Sequence, residues 1–200
     1  MKLKLGIFAL VGFGILAYFT YHEAWLASKS SDKPEEIKIK DLIKRGASGN
    51  ANIILTDFVL CGNFVMQQKS KNGSWTHVWI PAVPTDQADP DPKAPPPNPP
   101  DPKVLFFSTN ITNPHELEAK LNRPKVSGMV TNGITTLEPK IRDLLKQSYP
   151  RADFDTCLII QEGRTATSFG AIGAMGVASA ALFFVGLGLL VWAYVSRNET

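Results

Sequence analysis

The chain has 200 residues, 44% of them hydrophobic, and a formal net charge of +3 at pH 7. That is room for one ordinary domain, and the hydrophobic share is that of a globular protein. Between His22 and Arg164 eighteen Lys and Arg face seventeen Asp and Glu, so the basic stripe of a nucleic-acid surface is missing and no nucleic-acid partner is expected.

The chain opens on a short charged segment, residues 1–4, followed by LGIFALVGFGILAYF from Leu5 to Phe19 without a charge. A hydrocarbon core about 30 Å thick takes about 20 helical residues. The run reaches that length if Thr20 to Trp25 lie at the interface, which predicts a first transmembrane helix over 5–25. The alternative is a cleaved signal peptide, for which MKLK is a suitable n-region. Cutting after Ala24 or Ala27, however, puts His22 or Trp25 where a small residue is wanted. Lys2 and Lys4 favour a cytoplasmic N-terminus.

The segment 26–164 then faces away from the cytoplasm. After the polar SSDKPEE, IKIKDLIKRG reads as a short strand or a two-turn helix ending at Gly46. NIILTDFVL, Asn52 to Leu60, reads as one strand, with Gly62 and Asn63 as a turn or bulge. FVMQQ and WTHVWIPAV form two more strands around an Asn72-Gly73 turn, the strongest hairpin dipeptide, and the three strands suggest an antiparallel meander. The strand period puts Trp75, His77 and Trp79 on one face of WTHVW. They are either a candidate interaction surface or a cross-strand aromatic cluster, the more ordinary reading.

The stretch 85–103, TDQADPDPKAPPPNPPDPK, holds eight prolines in nineteen residues. It is too proline-rich for a sheet ladder and too poor in apolar residues to be buried. The pieces on either side are each marginal as separate cores, so the stretch reads as a proline-rich loop of one domain. Lys93, Pro96 and Pro99 match an SH3-ligand spacing that such a tract makes by chance.

VLFFSTNI is the next strand. Asn113, Pro114 and Glu116 follow as N-cap, first-turn proline and capping-box acid of a short helix. KVSGMVT is a strand, Thr135 to Glu138 repeats the capping box, and Leu137, Ile141, Leu144 and Leu145 share one face of a helix that stops at Tyr149-Pro150. DTCLIIQEG closes the domain. The apolar run after Thr165 predicts a second transmembrane helix over 168–195, leaving 196–200 cytoplasmic. The expected fold class is therefore α+β, a small mixed sheet with two short helices, flanked by two transmembrane helices. The expected location is a membrane, with both termini cytoplasmic and the central domain extracytoplasmic.

No motif of catalysis, cofactor or metal binding stands out. There is no GxSxG, HExxH or GxxxxGK[ST], and GASGN precedes a strand, so it lacks the helix N-terminus that holds a phosphate. Three histidines are too few and too scattered for a metal site. Asp153 with Asp155, and Asp86 with Asp89 and Asp91, read as solvated surface. Asn72-Gly-Ser and Asn110-Ile-Thr match the glycosylation sequon, which has meaning only in a eukaryotic cell. Cys61 and Cys157 lie in the exported segment, where a disulfide and two buried thiols are equally open. The apolar runs carry no ionisable residue for an ion path but do carry small residues suited to helix packing.

The layout of one anchor at each end of an exported domain, with WIPAVP, VLFFSTN and KVSGMV in that order, resembles the Surfeit-locus-one family of cytochrome oxidase assembly factors. The arginine-tryptophan signature of that family is absent, since Ser108, Thr109 and Asn110 stand in its place. No functional residue is carried over. The resemblance implies only a leaning towards cofactor assembly.

The function expected is that of a membrane-anchored, non-enzymatic extracytoplasmic accessory, scaffold or assembly factor. Its partners would be the lipid bilayer and another membrane or exported protein. The alternative is an exported enzyme or small-ligand binder whose site is assembled from distant residues.

Overall fold

The structure, a computed structural model, describes residues 2–46, 48–68, 73–87, 101–131 and 137–198. The fold is mixed α and β, in two compact units: residues 29–165, and the two ends of the chain together.

The terminal unit is a pair of long helices, α1 (Lys2–Ser28) and α5 (Phe169–Asn198). Both are long and apolar enough to cross a membrane, with mean hydropathy of 1.8 and 2.2, and little of either surface is buried within the protein. They pack against each other in antiparallel fashion. At the closest approach a Cβ on Gly6 would lie 3.2 Å from the Gly186 carbonyl oxygen, and the reciprocal distance is also 3.2 Å. The Phe13 and Phe183 rings meet at 5.1 Å, and Thr167 Oγ1 donates to Glu23 Oε2 at 2.6 Å. Small residues at the crossing let the backbones approach without side chains between them.

The central unit is built on one sheet. Its strands are β1 (Glu35–Lys38), β2 (Asn52–Thr56), β3 (Phe58–Leu60), β4 (Val65–Gln68), β5 (Trp75–Pro84), β6 (Val104–Ser108), β7 (Lys125–Val130) and β8 (Leu158–Glu162). The order is β1-β2-β7-β8-β6-β5-β3, with β4 also on β5. β1–β2 and β6–β8 are parallel, the other pairs antiparallel. One residue, Asp57, joins β2 near one end of this order to β3 at the other, so Thr56 and Phe58 lie at most about 7.6 Å apart. The sheet therefore curls back on itself. Asp57 makes the bend with φ of 61°, an uncommon left-handed value for a residue other than glycine.

Taken as one long bent strand, β2-β3-β4 pairs with β7 through its first part and with β5 through its last. The barrel order is then first-second-third-fifth-fourth-first, with third and fifth parallel and helix α3 (Pro114–Leu121) between third and fourth. This connectivity is that of the oligonucleotide/oligosaccharide-binding (OB) barrel.

Alternation then sorts the side chains. The inner set includes Ile53, Leu55, Val78, Ile80, Val104, Phe106, Val126, Val130 and Ile160, joined by Ile39 and Leu42 of α2 (Ile39–Arg45) and Leu117 of α3. The outer set, Val65, Trp79, Leu105 and Ile159, lies under Ile141 and Leu145 of α4 (Pro139–Ser148).

The fold class is as expected, with three corrections. IKIKDLIKRG forms both a strand and a helix, β1 then α2, so the described residues of the domain hold three short α-helices and an eight-stranded sheet. NIILTDFVL breaks at Asp57 into β2 and β3. The meander is instead one strand, β5, long enough to carry β3 and β4 in succession along one side. The register against β5 slips by two residues between Cys61 and Val65, where Gly62 and Asn63 were read as a turn or bulge.

Asn113 accepts the Glu116 N–H at 3.0 Å, while Glu116 reaches back to the Thr112 N–H at 2.6 Å, so α3 begins as the motif predicts. At α4 Pro139 is in the first turn, but Glu138 occupies the N-cap itself; Thr135 lies outside the described residues. So do Asn72 of the hairpin turn and most of the proline-rich stretch. β5 and β6, which that stretch connects, are sheet neighbours, with Ala82 opposite Val104.

Candidate functional site

Barrels of this connectivity grip ligands on the outer face of the second and third strands, here β5 and β6. That face carries an aromatic cluster. The His77 ring stacks on Phe107 at 5.6 Å and 9° and on Trp79 at 5.7 Å and 28°, and Trp79 meets Phe107 at 5.3 Å. Trp79 and Phe107 are directly opposed across the β5–β6 ladder. Trp79 is buried, while His77 and Phe107 remain half-buried. Thr76 Oγ1 lies 3.2 Å from His77 Nδ1 and would hold the ring's tilt.

Trp75 does not belong to this face. Gln67 stands opposite His77 but Gln68 stands opposite Trp75, so Thr76 is the extra residue of a β-bulge. The bulge reverses the alternation. Trp75 is thereby turned into the inner core, against Phe64 at 5.7 Å. Phe107 takes the third place in the cluster; VLFFSTNI reads as a strand from sequence, but its partner strand is not knowable from spacing.

Neither Cys61 nor Cys157 is in a disulfide. Each adjoins the outer apolar cluster, yet the bond weighed above needs neighbouring strands. Cys61 follows β3 and Cys157 precedes β8, and β5 and β6 lie between. Three interstrand steps are roughly 14 Å along the sheet, whereas a disulfide needs α-carbons within about 7 Å. Burial pushes Cys61 up to about 11, partly offset by the neighbouring Tyr149 hydroxyl. Burial first, then Asp153 and Asp155, push Cys157 up to about 12. Neither is a thiolate near neutral pH, so neither is a nucleophile or a ready metal ligand.

The carboxylates are committed to structure. Asp153 accepts the Thr156 hydroxyl at 2.9 Å and the Asp155 N–H at 3.1 Å, which hold its carboxyl below the usual range. Asp155 pairs with Arg142 at 2.7 Å, and Asp86 with Lys40 at 2.6 Å. Asp89 and Asp91 lie outside the described residues. Among the described residues no group of three or more His, Cys, Asp or Glu could hold a metal. Asn110 is exposed in the turn after β6, and the Thr112 hydroxyl of its sequon donates to Glu116 at 2.9 Å; Asn72 lies outside the described residues.

One polar cluster escaped the sequence reading. Glu162 at the end of β8 points inward, accepts the Ser108 hydroxyl at 2.6 Å and ion-pairs with Lys120 of α3. The side chains of Lys120 and Glu162 are only 14% and 10% exposed. Desolvation, with Arg123 nearby, lowers Lys120 below the usual lysine range. The group closes the barrel end under α3. Forty-two residues separate the pair, so no local pattern announces it.

Among the described residues, hollows indent the domain at two places that bear on binding. One, about 240 Å³, lies between β4 and α4, lined by Phe64, Val65, Met66, Leu144, Leu145 and Ser148 with Asn63. The other, about 400 Å³, is lined by mixed charges, including Asp101, Lys103 and Asp153, over Cys157 and Leu158. No family model, curated protein or solved structure matches the chain.

Proposed function

We propose that the protein is a membrane-anchored, non-enzymatic accessory or assembly factor whose extracytoplasmic barrel engages another membrane or exported protein. The observation that carries this reading is the His77–Trp79–Phe107 cluster on the β5–β6 face, a half-open aromatic surface where barrels of this connectivity bind. Aromatic groups with a polar tip are the side chains enriched at protein interfaces.

The chemistry around the face supports binding over turnover. The thiols are held protonated, and the described carboxylates that were candidates sit in turns and ion pairs. Lys2 and Lys4 ahead of the first apolar helix favour a cytoplasmic N-terminus, and a second span returns the C-terminus to the same side, leaving the barrel outside. The likeness in layout to the Surfeit-locus-one family tilts the partner towards a cofactor-bearing membrane complex.

The test is a photo-crosslinking residue in place of Phe107 in native membranes, read by mass spectrometry. A discrete protein adduct that disappears when His77 is also replaced by Asp is expected. Adducts to lipid alone, or none, would count against the proposal. The runner-up, an exported small-ligand binder, draws on the 400 Å³ hollow with its mixed charges; thermal stabilisation by a small zwitterion and its loss in Lys103→Glu would favour it.

A further inference from the structure

The barrel has two open edges, and they are not alike. Along β1, Glu36 pairs with Lys125, Glu35 with Arg45 and Lys38 with Asp57. A row of charges of this kind is how natural sheets discourage the addition of another strand. Among the described residues β4 carries no ion pair, and it hydrogen-bonds only to β5. Neighbouring pairs in an antiparallel ladder alternate in type, so either Met66 or its neighbours Val65 and Gln67 turn N–H and C=O away from β5.

The same edge gathers the exposed apolar surface of the domain. Among its described residues the large apolar side chains left exposed are Val59 on β3, Met66 on β4 and Leu144 on α4, at 36%, 39% and 39%. Met66 and Leu144 line the 240 Å³ hollow, which can take one aliphatic side chain. An open strand edge with an apolar hollow under a flanking helix is the geometry of strand-addition peptide recognition.

Charge names the occupant. From Phe58 to Thr85 the sequence contains no Asp or Glu, only Lys69, Lys71 and His77. On α4, Lys140 precedes Leu144 and Ser148 at four-residue spacing on one helix face. It has no acid partner among the described residues. Asp143 on the same helix is turned to Arg142 at 3.8 Å. We propose that β4 and the hollow beside α4 receive an extended acidic segment of a partner protein, added as a further strand with an aliphatic side chain in the hollow. A second copy is the poorer occupant, since it brings the same acid-free stretch and so no charge to complement the lysines. The inference rests on the partner-binding reading above and specifies how the partner is held.

The experiment uses the full chain in lipid nanodiscs and a fluorescein-labelled octapeptide of alternating glutamate and valine, followed by anisotropy. Saturable binding is expected, weakened about ten-fold or more by Leu144→Glu and by N-methylation of alternate peptide amides, which blocks strand addition. Lys140→Glu weakens it and flattens its dependence on salt. Unchanged melting temperatures establish that the variants fold. Absence of saturable binding, equal binding of the N-methylated or a valine-lysine peptide, or a dimer dissolved by Leu144→Glu would each overturn the proposal. If the Phe107-site crosslink persists in Leu144→Glu while the peptide does not bind the parent chain, this inference fails and the accessory reading stands.

Discussion

At the residue scale the thiols make the sharpest statement about pH. The folded pKa values of Cys61 and Cys157, about 11 and about 12, exceed the ordinary 9.0, so the fold holds protons that the unfolded chain gives up first. Their contribution to stability is complete below pH 9 and is lost as pH rises towards 11 for Cys61 and 12 for Cys157. By linkage the loss is of the order of a few kcal/mol. Melting temperature should therefore fall steeply above pH 9, and less steeply in the double variant Cys61→Ala/Cys157→Ala. Burial, and then Cys61 beside it, also raise Tyr149, so the difference between the chains reports the thiols together with the part of the Tyr149 shift that Cys61 causes. Parallel alkaline limbs would refute the assignment. Gly128 supports a second prediction: a Cβ there would sit 2.7 Å from the Gln161 carbonyl oxygen and 2.9 Å from Ile160 Cγ2. Backbone cannot swing aside as a side-chain end can, so Gly128→Ala should cost about 1–3 kcal/mol in a denaturant titration. Of these residues the sequence offered the cysteines as an open alternative. It offered Trp75, His77 and Trp79 as one stripe, and a single bulge residue, Thr76, undid it.

At the element scale, legibility tracks how local the determining interaction is. The start of α3 was readable because Asn113, Pro114 and Glu116 act on each other within one turn. The split of IKIKDLIKRG was not, because Ile37 and Ile39 are both core residues and only the pairing of β1 with β2 decides where strand yields to helix. The attachment of α3 is likewise non-local. Leu117 is its one fully buried apolar residue and Leu121 packs on the core half-buried, so the hold of Lys120 on Glu162 adds to a small apolar contact. Removing one partner of a buried pair leaves the other desolvated, so Lys120→Met should destabilise the chain by about 3–5 kcal/mol. The double variant Lys120→Met/Glu162→Gln should recover a good part of that loss, because the stranded charge is gone. A double variant that loses the sum of the two single losses would show that the groups act independently.

At the scale of the whole molecule, the barrel was hidden and the two long apolar helices were plain. The closure turns on one residue, Asp57, whose φ no spacing rule forecasts, and on pairings between strands far apart in the chain. The helices are visible from length and hydropathy alone. What the structure adds is their mutual fit, and this bears on whether the first is an anchor or a leader peptide. A leader has no reason to match the last helix of the chain, yet Gly6 meets Gly186, Leu10 lies over Gly186, Phe13 meets Phe183 in a tilted ring contact and Glu23 accepts from Thr167. Cleavage would also expose Ser179, whose hydroxyl is buried between the helices. The N-terminal helix should therefore be retained: mass spectrometry of protein extracted from membranes should find the α1 segment still joined to the domain, whereas a chain beginning near Ala24 or Ser28 would defeat the claim. In the retained pair, Gly186→Leu should wedge the helices apart, since the added side chain meets Leu10 at about the 3.0 Å already seen for a bare Cβ. A cysteine pair at positions 6 and 190 should crosslink in the parent background and fail to do so beside Gly186→Leu. Equal crosslinking in both would mean that the glycine crossing does not hold the helices together.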